Sequence, residues 1–94
     1  MRPTRLVFRV HAIQRMFRRG ILQAEVRAVL EVGEIIEDYP ADTPYPSQLL
    51  LGWSGKRPIH VVAAYNVIDD EAIVITAYVP DPAKWDAAYK RRLV

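Results

Sequence analysis

Cysteine is absent from the chain. Disulfides, thiolate metal sites and cysteine nucleophiles are thereby excluded. Long apolar runs are also missing, and the longest stretches are far too short to cross a bilayer, so no membrane partner is expected. There is no glycine-rich phosphate loop and no Gly-x-Ser-x-Gly elbow, so nucleotide hydrolysis and serine esterase chemistry have no support. Two histidines are present, without His-x-x-x-His spacing or clustered carboxylates beside them. That is not a metal signature, and neither a metal nor another cofactor is expected. No acidic residue precedes Glu25. The opening Met1-Arg2-Pro3-Thr4-Arg5 is basic, but Arg9 and His11 interrupt the segment after it. It does not read as a secretion signal, and the cytoplasm is the expected compartment.

What is present is a globular composition: 94 residues, 51% hydrophobic and 26% charged. One domain over residues 1–94 is expected, burying roughly 60–65% of the unfolded surface. A core that thin favours a shallow cleft over a deep pocket. Net charge is only +2, yet it is segregated. Arg2, Arg5, Arg9, Arg15, Arg18 and Arg19 come first, Lys90, Arg91 and Arg92 come last, and acids fill the middle. The two basic segments make one positive patch only if the fold unites them.

Residues 5–10 alternate as a short strand or extended lead-in. His11 to Arg19 then reads as a helix with two faces at about 100° per residue. Ile13, Met16 and Phe17 cluster on one side, with Ala12 at its edge. His11, Arg15 and Arg18 cluster on the other, flanked by Arg19. This face carries an imidazole and several permanent cations, which suits a phosphate-bearing ligand such as RNA. A solvated basic face shows the same pattern. Gly20 stops the helix, and a second helix spans Gln23 to Val32 with Leu22, Val26, Val29 and Leu30 as its apolar stripe. Its start lacks a Ser, Thr, Asp or Asn cap.

The period then changes to two. Strands are expected at 34–39, 47–53, 58–66 and 72–79, with turn residues between them. Asp81-Pro82 suits the N-terminus of a short closing helix in which Trp85 and Tyr89 share a face. Helices first and strands after indicate an α+β fold: a helical hairpin packed on a four-stranded antiparallel meander, then a short C-terminal helix.

His60 lies inside the third strand, where it is either a satisfied core residue or an acid–base group. Thr76 and Tyr78 are two apart on the fourth strand and share one face. His60 joins them if residue 60 opposes 78, and a one-residue slip separates them. Trp85 reads as packing on the sheet, with base stacking as its alternative.

Together these residues resemble a bacterial and phage family of unknown function. The likeness rests on His11-Ala12, Arg15-Met16 and Arg18-Arg19-Gly20-Ile21, then Pro58-x-His60-Val61-Val62, then Thr76-x-Tyr78-x-Pro80-Asp81 followed by Trp85. The sequence departs at Gln23, where the family often has a Ser or Thr cap. The family is grouped by fold and motif placement with RelE-like and barnase-like toxin ribonucleases. The resemblance implies a metal-independent endoribonuclease, the toxin of a toxin–antitoxin pair, with RNA and an antitoxin protein as partners. It implies His11, Arg15, His60 and Tyr78 as catalytic groups, with Arg18, Arg19 and Thr76 holding phosphate. Two other readings stay open: a non-catalytic RNA- or protein-binding module of the same fold, and an accessory subunit whose basic helix docks an acidic protein.

Overall fold

A computed structural model describes residues 1–93. It contains β1 (Arg5–Phe8), α1 (Val10–Arg19), α2 (Gln23–Val32), β2 (Glu34–Tyr39), β3 (Ser47–Ser54), β4 (Arg57–Asn66) and β5 (Glu71–Tyr78). The five strands form one sheet in the order β1-β5-β4-β3-β2. β2 through β5 pair antiparallel. β1 pairs parallel to β5, with Arg5 opposite Glu71 and Phe8 opposite Val74.

Two expectations give way to the structure. The sheet is five-stranded and mixed rather than a four-stranded antiparallel meander, although the protein remains α+β. The lead-in at residues 5–8 joins the sheet edge beside a strand 66 positions away, a pairing that local alternation cannot reveal. The closing helix does not form either. Asp81 accepts from the backbone N–H of Ala83 and Lys84, which makes a turn. Trp85 then bridges back to Arg92, and Tyr89 takes a positive φ of 60°. Asp86 accepts from the N–H groups of Lys90 and Arg91, replacing helical partners with its own carboxylate.

The helices end and begin for local reasons. Gly20 adopts φ 64°, donates to the Phe17 carbonyl, and lets Ile21 donate to Met16, a Schellman closure that a Cβ would strain. At α2, Glu25 accepts from the N–H of Leu22 at 2.9 Å, which is half of a capping box and stands in for the missing Ser or Thr. Arg57 clamps the same carboxylate at 2.6 Å. Together with bonds from Ser54 and Leu22, it holds the Glu25 pKa down to about 2.

Both helices lie on one face of the sheet. Ala12 and Met16 of α1 and Val26, Val29 and Leu30 of α2 pack with Leu50, Ile59, Val61, Ala63, Val74 and Ala77. Gly52 permits this approach: a Cβ there would stand 2.5 Å from Val29 Cγ2. The expected stripe of α1 is rotated. Ala12 and Met16 are buried, but Phe17 is 87% exposed, with Val10 and Ile13 exposed beside it.

Two bulges sort the other face. In β2 the pairing shifts between Ile35 and Glu37, so Glu37 rather than Ile36 stands opposite Leu49. In β5 it shifts so that Val62 faces Thr76 while Ala63 faces Val74. Ile75 is the extra residue. It reverses side-chain parity, sending Val74 and Ala77 to the helices but Thr76 and Tyr78 to the opposite face. Among the described residues no helix is long and apolar enough to cross a membrane.

Candidate functional site

The register places His60 opposite Tyr78, so both stand on the face away from the helices, beside the Val62–Thr76 pair. Residues 80–93 cover that face. Trp85 meets His60 edge-on with ring centroids 4.4 Å apart, and His60 is 0% exposed. Both imidazole nitrogens are used. Nε2 lies 2.8 Å from the carbonyl of Tyr89, which only accepts, so Nε2 carries the proton. Nδ1 is left as the acceptor for the Tyr78 hydroxyl at 3.3 Å. Burial lowers the His60 pKa, and the Tyr89 bond and the Glu37 charge only partly oppose it. Burial likewise raises the Tyr78 phenol. At neutral pH the pair is a neutral imidazole and a protonated phenol.

Tyr78 opens on a cleft of about 570 Å³, shared with Arg19, Asp81, Lys84, Trp85 and Arg92. Arg19 reaches it because β1 stops at Phe8, opposite Val74, and leaves the end of β5 without a strand on that side. The Arg19 guanidinium takes that place, donating to the Ala77 carbonyl at 2.9 Å. Arg92 is committed elsewhere. It forks onto Glu37 at 3.0 and 3.2 Å and lies 4.8 Å from the Trp85 ring centroid. Those bonds to Glu37, and a further one to Tyr39, raise its pKa. The Arg92 fork in turn lowers the Glu37 pKa. Among the described residues Arg19 and Lys84 make no ion pair. Of the two basic segments, Arg19 from the start and Arg92 from the end line this cleft, with Arg92 held by Glu37.

Of the residues singled out from the sequence, His60, Tyr78 and Arg19 converge here. Thr76 is half-buried on the same face, two residues from Tyr78. His11, Arg15 and Arg18 are exposed on α1 and do not line the cleft. Sequence reasoning misses Lys84, Arg92 and Glu37. A Pro80-Asp81 turn beginning two residues after Tyr78 signals Lys84, whereas Glu37 depends on the β2 bulge. Among the described residues no three His, Asp or Glu side chains gather as a metal site requires.

This arrangement can hold an anion between Arg19 and Lys84 and can accept a proton at the Tyr78 oxygen while Tyr78 passes its own to His60. No curated protein and no solved structure matches the chain. One family model matches residues 8–79, from the last residue of β1 to just beyond β5, and so takes in His60, Tyr78 and Arg19 but stops short of Lys84, Trp85 and Arg92. Since that span is most of the sequence, the chain belongs to the family described as Domain of unknown function (DUF4258).

Proposed function

We propose that the chain is a metal-independent endoribonuclease of the toxin kind, cutting RNA by attack of a ribose 2′-hydroxyl on the adjacent phosphate. One observation carries this reading. The Tyr78 hydroxyl, backed by a buried neutral imidazole, faces a cleft with two cations that form no ion pair among the described residues. The 2′-hydroxyl gives its proton to the Tyr78 oxygen, and Tyr78 gives its own to Nδ1 of His60. The Tyr89 carbonyl and the Glu37 charge both favour the imidazolium so formed. The 2′-oxygen bonds to phosphorus, and the bond from phosphorus to the 5′-oxygen breaks. Water protonates the departing oxygen, leaving a 2′,3′-cyclic phosphate and a 5′-hydroxyl. Arg19 and Lys84 stabilise the charge on the phosphoryl oxygens. Thr76 supports the phosphate side of the site, and His11, Arg15 and Arg18 extend the basic surface along α1 for the RNA backbone.

The test is to incubate the purified chain with RNA and look for cyclic phosphate ends. Tyr78→Phe and Arg19→Ala should each slow cleavage on the order of 10²–10³-fold. His11→Ala and Arg15→Ala should weaken binding, in a way that vanishes at high salt. Cleavage by Tyr78→Phe at the wild-type rate would remove the catalytic role.

A second reading rests on α1. Val10, Ile13 and Phe17 stand exposed at helical spacing on this helix, which has no acidic residue. An acidic protein, such as an antitoxin, fits that stripe. RNA binding without cleavage, and harmless expression without an adjacent antitoxin gene, would favour a non-catalytic binding module.

A further inference from the structure

A second concavity, of about 340 Å³, lies beyond the cover over His60, lined by Val32, Glu34, Gly52, Trp53 and Lys90 among others. It exists because β2 begins opposite Leu51. From Gly52 to Ser54, β3 is paired on its β4 side only. Trp53 stands there 53% exposed. It is nonetheless fixed in place, since Tyr89 meets it edge-on at 5.9 Å between centroids and 72° between planes. That contact packs one side of the indole, and about half of the residue stays exposed to solvent.

Tyr89 also joins this concavity to the cleft. Its ring touches Trp53 and its carbonyl bonds His60, which in turn bonds Tyr78. Cations follow directly along the chain. Lys90 lies 3.0 Å from Glu34 on the rim, and Arg91 is exposed.

We propose that Trp53 is a stacking platform for a nucleobase of a bound RNA strand. This rests on the RNA reading above and adds where a base is gripped. The indole face is the sequence-tolerant part of the contact, because every base has a π-face. Glu34 can accept from a base N–H, and Lys90 can exchange that carboxylate for a phosphate oxygen. A protein partner fits less well. Among the lining groups, Trp53 and Val32 are the large apolar side chains left exposed, and the rim is a charged pair.

The experiment uses a tetraribonucleotide with 2′-O-methyl riboses, which cannot be cleaved, so binding is read apart from catalysis. Adenosine 5′-monophosphate and ribose 5-phosphate are titrated alongside it. The oligonucleotide and the mononucleotide should quench tryptophan fluorescence, and the base-free sugar phosphate should not. Trp53→Leu should weaken oligonucleotide binding roughly 5- to 100-fold and remove the Trp53 share of the quench, leaving only that of Trp85 in the cleft, with Trp53→Phe restoring most of the affinity. Trp53 lies at the surface, and an unchanged melting curve for each variant checks that the fold is intact. Equal affinity in wild type and Trp53→Leu would overturn the platform while leaving RNA binding standing. Loss of a dimer in Trp53→Leu at unchanged oligonucleotide affinity would also overturn it, in favour of self-association. No oligonucleotide binding by the wild type would remove both the platform and the RNA reading.

Discussion

The two faces of the sheet are held by different physics. Towards the helices, β4 presents Ile59, Val61 and Ala63 to Leu50, Val26, Val29 and Leu30, and the contact is apolar throughout. One residue along, the same strand presents His60 to Tyr78, Trp85 and the Tyr89 carbonyl. The first face is non-directional and tolerates sliding. The second is satisfied only when each donor meets its acceptor. Strand alternation thus puts a core and a candidate reaction site on opposite sides of one backbone, and α1 reaches the second side through Arg19 at its end.

The sharpest way to break the contrast is to open a hole on the helix side. Leu50→Ala, at a fully buried position, should cost about 2–5 kcal/mol in urea or thermal unfolding, as cavity formation in a close-packed core does. On the other face, His60→Leu keeps the apolar volume but strands the Tyr89 carbonyl and the Tyr78 hydroxyl. About 1–3 kcal/mol should be lost, a cost set by unmade hydrogen bonds.

The pH response separates the faces further. Because burial holds the folded His60 below its ordinary 6.5, the unfolded chain binds more protons beneath that pH. The contribution of His60 is complete above about 6.5 and is lost as pH falls towards the lowered value. Urea midpoints measured across that window should decline on acidification in wild type. They should lose that slope in His60→Leu, while Leu50→Ala keeps it. Glu25, whose pKa is held down to about 2, adds a separate loss as pH falls below 4.5.

Smaller effects test the periphery. Arg92→Met removes a fork onto Glu37 that remains partly open to solvent and should cost no more than about 1 kcal/mol. Smallest of all is Phe17→Ser, which should change stability by less than about 0.5 kcal/mol, since this ring buries almost nothing. A large loss there would mean that α1 leans on its exposed side after all, and that the division into two faces is incomplete.

Much of the local structure is legible in the sequence. Two helices and four of the strands fall within one residue of where periodicity, Gly20 and the proline-rich loops put them. Arg19 and His60 stand out as chemistry-bearing types. Periodicity misplaces Phe17, because a 3.6-residue repeat identifies an apolar side without showing which part of it meets the sheet. It also leaves the convergence of Tyr78 and His60 open. That convergence depends on Ile75 as an extra residue in β5, and E-A-I-V-I-T-A-Y has no alternation from which a bulge can be counted.

The sequence by itself determined the elements, the absence of thiol chemistry and the segregation of charge, because each follows from neighbours in the chain. Only the tertiary structure decided that β1 closes the sheet beside β5, that Trp85 leaves its helix-like segment for His60, and that Arg19 lines one cleft with Lys84. Each of those pairings joins residues far apart in sequence. Their geometry is set by packing and by hydrogen bonds that must find partners on other strands, and no local pattern encodes that choice.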